Sequence, residues 1–163
     1  MLKLIIASEQ FFETTLGLFT LGHRTPRGYR PRRLRFLNCS LPAALDVFRG
    51  DQDFVGWNSP SVIIDRAARW LRNAEPYQTP LSSASQLLSY LKKMRNAMAH
   101  DSDDAREKYA EATRRLYGSL PKRVYPGAQL LQPPPPGIGY LTGQNLFDAT
   151  LRTYRLIAQQ IVP

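Results

Sequence analysis

Cysteine is almost absent. Cys39 is the single one among 163 residues, which excludes a disulfide framework within one chain and any cysteine-based zinc site. A reducing, cytoplasmic setting is the expectation. Histidine is nearly as scarce, with only His23 and His100. Long apolar runs are missing as well: charge interrupts each one well short of the ~20 residues a membrane span requires, so no membrane association is expected. "MLKLIIASEQFF" opens with one lysine and a short apolar run, but Glu9 and Glu13 arrive before any small-residue cleavage site. A secretory signal is therefore not expected. The chain also lacks internal repeats and the strand–helix alternation of a parallel sheet. Its length suits one domain spanning 1–163, enough to bury a core without metals or disulfides.

Acidic residues are missing from one long interval. None occurs between Glu13 and Asp46, and that gap holds "HRTPRGYRPRRLRF" with Arg24, Arg27, Arg30, Arg32, Arg33 and Arg35. Over the whole chain 22 lysines and arginines face 13 acids, and 17 of the 22 are arginine. An acid-free arginine run attracts polyanions, nucleic acid first. Its plainer reading is a solvated loop whose charges are paired elsewhere. Pro26, Gly28 and Pro31 argue against regular helix, so 24–36 is expected to be an arginine-rich loop.

What remains reads as helices. Phe12, Leu16 and Phe19 mark one over 8–20, with Ser8 placed to cap it. "LPAALDVFRG" is a short helix ended by Gly50. Ser59 is a natural cap with Pro60 at the first helical position, and Ile63, Ala67, Trp70 and Leu71 follow on one face. Ala84, Leu87, Leu88, Leu91, Met94 and Met98 line a helix over 83–99. Asp101 or Ser102 caps the next, whose inward residues are Ala105, Tyr109, Ala112 and Leu116, with Gly118 and Pro121 ending it. Acids in its first turn suit the positive end of the helix dipole. "LLQPPPPGIGY" is a stiff, extended connector at 132–138. A last helix over 143–161 carries Leu146, Ala149, Leu151, Tyr154, Ala158 and Ile161. The expected fold is all-α, a compact bundle of four to five helices.

Chemistry concentrates in "KKMRNAMAHDSDD". Five residues of α-helix turn through about 500°, so Arg95 and His100 diverge by roughly 140° on one continuous helix. Two routes bring them together: the helix unwinds near Ala99, or two copies of it meet across a dimer. The residue types suit RNA cleavage. RNA carries its own nucleophile, the 2′-hydroxyl. A histidine can take its proton or return one to the leaving 5′-oxygen. An arginine fork can hold the non-bridging phosphate oxygens as charge builds. No metal or other cofactor is required.

"RNAMAH" resembles the signature of the HEPN superfamily: Arg, then a polar residue, then His four to six after the Arg. Arg95, Asn96 and His100 fill those positions in order. A chain of this composition would show such a triplet about 0.06 times by chance. The resemblance spans some thirty residues, from the motif helix through the next one. It implies an all-α fold and a metal-independent endoribonuclease whose composite site forms across a homodimer. It also implies a toxin or phage-defence role, with an antitoxin as a possible partner. Some family members only bind nucleotide or mediate assembly, so an inactive binding module is the alternative. Asp101 follows His100 where the nucleotidyltransferase-partnered HEPN toxins commonly carry an aromatic residue.

Other readings compete at the same residues. His100 can be a plain helix end facing exposed carbonyls. His100–Asp101 also matches the central pair of metal-dependent HD phosphohydrolases, with His23 and Asp148 as the remaining ligands, but the spacing is poor and the arginines would repel a cation. Glu107 and Glu111 share a face that can orient His100 or stay solvated. Trp70 fits its helix stripe, whereas Trp57 is freer to stack on a base.

Overall fold

The computed structural model describes residues 1–50, 56–100, 102–119, 125–135 and 145–163. Among these residues the fold is all-α. In order come α1 (Leu2–Leu21), α2 (Leu41–Arg49), α3 (Pro60–Trp70), α4 (Gln78–Ser83), α5 (Ser85–Ala99), α6 (Asp103–Tyr117), α7 (Pro126–Gln129) and α8 (Leu146–Ile161). The only β feature among them is an isolated antiparallel bridge between Arg33 and Leu71. Among the described residues there are eight α-helices and a 3-10 turn (Arg72–Ala74), where a bundle of four to five helices was expected; α4 and α7 are short pieces without an apolar period to announce them, which leaves six longer helices. No helix among the described residues is long and apolar enough to cross a membrane. Contacts divide the chain into two units, Leu2–Ser85 with Ile157–Pro163, and Gln86–Leu156 with Met1.

In the first unit α1 starts six residues before its expected cap. Ile5 lies two turns before Phe12 and extends the same buried row through Leu16 and Phe19. Ser8 sits inside the helix and donates its hydroxyl to the Ile5 carbonyl at 2.7 Å, as interior serines do. It caps nothing. α2 lies close against α1: a Cβ on Gly17 would fall 2.6 Å from a Leu41 methyl and 3.0 Å from a Leu45 methyl, so a larger residue there would oblige those leucine side chains to shift. Ser40 starts α2 by accepting from the Ala43 amide, and Gly50 at φ 54° ends it. Ser59 has the extended backbone of a cap before α3 but makes no side-chain cap bond.

Ile63, Ala67 and Leu71 are buried as the pattern predicts, and Phe48 stands edge-on to both Trp57 and Trp70, 6.4 and 5.8 Å between centroids. Trp57 is only 5% exposed, with the Arg66 guanidinium over its ring. It belongs to the core and is not free to stack on a base. Tyr77, before α4, donates to Thr15 at 2.8 Å and packs edge-on against Phe19. Burial pushes its phenol far above the ordinary tyrosine range.

In the second unit α5 begins at Ser85, because Ala84 at φ −94° and ψ 2° leaves the helical well. Leu87, Leu88, Leu91 and Met94 are buried as expected, but Met98 is 40% exposed. The helix outruns the core that covers it. Ser102 is the cap of α6, accepting from the Ala105 amide at 3.3 Å; the alternative cap, Asp101, lies outside the described residues. Ala105, Tyr109, Ala112 and Leu116 are buried, and Gly118 at φ 74° closes the helix. Between the two helices the Tyr90 hydroxyl donates to Tyr109 at 3.3 Å and stands 3.4 Å from Thr113.

The proline connector starts irregularly at Pro133, and 136–138 lie outside the described residues. Its approach is fixed to α8, since the Leu146 and Phe147 amides donate to the Gln132 and Leu130 carbonyls. Asn145 caps α8 by accepting from the Asp148 amide at 2.9 Å; the expected positions 143 and 144 are not described. Within α8 the buried row is Leu146, Ala149, Thr150 and Thr153, while Leu151 is 40% exposed. The threonines enter because their hydroxyls return to the Leu146 and Ala149 carbonyls, which removes the cost of burying them.

Candidate functional site

α5 stays hydrogen-bonded to its last turn. The His100 amide donates to the Asn96 carbonyl at 2.9 Å, so the helix does not unwind near Ala99. Asn96 and His100 are therefore one turn apart on one face. Arg95 begins on the adjacent face, but its Nη1 donates to Asn96 Oδ1 at 3.2 Å. That hydrogen bond swings the guanidinium toward the face that carries His100. Among the described residues no hydrogen bond or ion pair joins Arg95 to His100 directly.

The end of this helix is open. Arg95, Asn96 and Ala97 are half-exposed, and Met98, Ala99 and His100 are exposed. The acids on α6 are occupied elsewhere or point to solvent. Glu111 pairs with Arg115 at 2.6 Å, Asp104 with Lys108 at 2.9 Å and Asp103 with Arg106 at 3.5 Å, while Glu107 is exposed. None of them bonds His100 among the described residues. An exposed imidazole can exchange protons with a bound substrate, and a guanidinium fixed on one edge keeps its remaining donors for an anion.

The arginine segment is a non-helical loop, and an ordered one. Gly22 at φ 92° turns the chain out of α1, with its amide on the Phe19 carbonyl and the His23 amide on the Leu18 carbonyl, both at 3.0 Å. This pair of bonds is a Schellman ending. Thr25 and Tyr29 close a tight turn through Thr25 amide to Tyr29 carbonyl at 2.8 Å and Tyr29 amide to Thr25 Oγ1 at 3.1 Å. The strand-like stretch after it pairs with the exit of α3: the Leu34 amide donates to the Trp70 carbonyl at 2.7 Å, and the Arg72 amide to the Arg32 carbonyl at 2.8 Å.

The six arginines of this segment divide. Arg33 donates to the Thr20 carbonyl at 3.2 Å, capping the end of α1, and its guanidinium lies 4.5 Å above the Phe36 ring. Desolvation, then the neighbouring Arg30, makes it less basic than an ordinary arginine. Arg33 is thus committed to the fold. Arg24, Arg27, Arg30, Arg32 and Arg35 are exposed and have no ion-pair partner among the described residues. Their charges are not spent on internal acids.

The metal-site reading finds no geometry. Among the described residues no three His, Cys, Asp or Glu side chains gather closely enough to hold an ion. His23 belongs to the first unit, Asp148 to the second, and Asp101 lies outside the described residues. Sequence reasoning passed over Tyr29, Arg72 and Asn73, which line a cavity together with Arg30 and Arg32. The pairing that brings Arg72 there spans some forty residues and leaves no local signal. No protein-family model matches the chain, and no curated protein or solved structure does either.

Proposed function

We propose that the chain is a metal-independent endoribonuclease of HEPN type, with its active site completed across a homodimer. The observation that supports this best is the Arg95–Asn96 hydrogen bond at the open end of α5. It turns the phosphate-binding fork toward the face of the exposed histidine. One chain still leaves Arg95 and His100 apart, and a two-fold partner would supply the second copy of each.

In this reading His100 takes the proton of the RNA 2′-hydroxyl. The oxygen attacks the adjacent phosphorus, the bond to the 5′-oxygen breaks, and the leaving oxygen is protonated, by His100 or its symmetry mate. The products carry a 2′,3′-cyclic phosphate and a 5′-hydroxyl. Arg95 holds the non-bridging oxygens as charge accumulates, and Asn96 keeps the guanidinium in place. Arg24, Arg27, Arg30, Arg32 and Arg35 attract the RNA backbone. The same resemblance points to a cellular toxin or phage-defence effector held in check by an antitoxin.

The test is cleavage of RNA in excess EDTA, with end-group analysis of the products. Cyclic-phosphate ends and an intact 2′-O-methyl control are the expected result. Loss of cleavage in EDTA would overturn the metal-independent mechanism, and a strict monomer at tens of micromolar would overturn the composite site. A second reading, an inactive RNA-binding module, is favoured by the absence of direct Arg95–His100 contact within one chain. RNA binding without cleavage at any protein concentration would establish it.

A further inference from the structure

The bridge between Arg33 and Leu71 places Arg32 directly opposite Arg72, joined by the Arg72 amide to Arg32 carbonyl bond at 2.8 Å. Side chains at such opposed positions stand on one face with their Cβ atoms about 5 Å apart, and like charges there repel. Arg30 turns its guanidinium away from that face: a Cβ on Gly22 would stand 2.8 Å from Arg30 Nη2 and 2.6 Å from Arg33 Nη1, so the two heads lie side by side at the end of α1. Arg33, next after Arg32, also points away from that face and caps α1. Arg30, Arg32 and Arg72 each contribute to the lining of a cavity of ≈ 450 Å³, whose other walls are Tyr29, Asn73 and Glu75. None of the three has an ion-pair partner among the described residues. The single carboxylate present, Glu75, accepts from the Thr79 hydroxyl at 2.6 Å. The turn that forms one wall is strained: Asn73 and Ala74 both have left-handed backbone, φ 57° and 56°, a conformation that costs a non-glycine residue about 1–2 kcal/mol and that concentrates at functional sites.

We propose that this cavity binds one nucleotide, its phosphate bridged by Arg32 and Arg72, and its base stacked on Tyr29 with Asn73 at the base edge. Two opposed guanidinium groups with no ion-paired acid among the described residues form an anion clamp, because a phosphate accepts two forks at once and cancels their repulsion. The half-exposed ring supplies the stacking surface that separates a nucleotide from a bare anion. The volume lies within the range of small-ligand sites. This inference rests on the reading of the chain as an RNA-binding protein, and it does not depend on whether Arg95 and His100 cut.

The test is fluorescence anisotropy with a labelled 2′-O-methyl dodecanucleotide, which the proposed chemistry cannot cleave. Arg32→Ala/Arg72→Ala should weaken binding at least tenfold and lower the slope of log affinity against log salt by about 0.7, one phosphate's worth for a single strand. Tyr29→Ala should weaken it about five- to hundredfold without changing that slope. Arg152→Ala/Arg155→Ala removes the same charge from exposed positions of α8 and should change affinity less than threefold. Equal losses from the two double variants would overturn the clamp and leave only general charge attraction. Competition by uridine monophosphate, lost in Arg32→Ala/Arg72→Ala, would assign the cavity to free nucleotides; competition by oligonucleotide alone would assign it to a strand of RNA. Displacement by polyglutamate of matched charge would overturn the nucleotide assignment. Cleavage of ordinary RNA is read in parallel. Clamp-dependent binding without cleavage removes the ribonuclease and keeps the cavity, while cleavage with unchanged KM in the clamp variant does the reverse.

Discussion

At the end of α1 the chain closes on itself: Gly22 turns it, the His23 amide returns to the Leu18 carbonyl, and Arg33 reaches back to the Thr20 carbonyl. At the end of α5 none of these devices operates. The helix stops at Ala99, His100 follows with its side chain in solvent, and no glycine or arginine folds back over the last carbonyls among the described residues. Each end carries one of the chain's two histidines. One sits on a finished helix terminus, where capping has satisfied the local backbone. The other sits on a terminus left open beside an arginine already oriented by Asn96. A histidine after a helix is therefore not informative by itself; what the surrounding groups leave unsatisfied is.

The sharpest way to break this comparison is kinetic. His100→Ala should lower the rate of RNA cleavage by about 10²–10⁴, the usual contribution of a positioned proton-transfer group, with RNA affinity nearly unchanged. His23→Ala should leave the rate within twofold. Single-turnover cleavage of one labelled RNA measures both, and equal rates for His100→Ala and the parent would return His100 to the status of a helix end.

Along α5 itself the contrast is one of stability. Met94 is fully buried and Met98 is 40% exposed, one turn further on. Met94→Ala should destabilise by about 2–5 kcal/mol through lost burial and the cavity left behind, whereas Met98→Ala should fall within about 0.5 kcal/mol. Urea unfolding monitored by circular dichroism separates the two. If Met98→Ala were the costlier in a monomeric sample, the open end of the helix would be wrongly described.

The local parts of the fold could be read in advance, and the non-local parts could not. α6 was legible because Ser102, the first-turn acids, the inward row and Gly118 all act within one helix. The end of α2 at Gly50 was legible for the same reason. Ser8 misled because a cap and an interior back-bonded serine look alike in sequence, and only Ile5, two turns before Phe12, shows that the helix had already begun. Thr150 and Thr153 were missed because a scan for apolar letters passes over hydroxyls that satisfy themselves on the backbone. Of the site, Arg95, Asn96 and His100 stand within one turn and a half of helix, so their types and spacing were visible. The Arg95–Asn96 hydrogen bond was not, since it depends on rotamers. The opposition of Arg32 and Arg72 depends on a long-range bridge between a loop and a helix exit, and no period in the sequence encodes it.

The smallest effects belong to the closed end of α1, where backbone and side chain are interlocked. A Cβ on Gly22 would stand 2.6 Å from Arg33 Nη1 and 2.8 Å from Arg30 Nη2, and the residue has φ 92°. At Gly118, φ is 74° and nothing lies within 4 Å of the same atom. Gly118→Ala should therefore cost only the conformational part, about 1 kcal/mol, and Gly22→Ala slightly more, up to about 2 kcal/mol. Arg33→Ala alone should cost about 1 kcal/mol, from one charged hydrogen bond and a partly solvated ring contact. The coupling is what decides the matter. If Arg33 is the group that a Cβ displaces, Gly22→Ala should cost less by about 0.5 kcal/mol or more when Arg33 is already alanine, whereas independent sites add. Strict additivity in a double-mutant cycle by urea unfolding would mean that Arg33 is not held against the end of α1 in solution. It would then be as exposed as Arg24, Arg27, Arg30, Arg32 and Arg35.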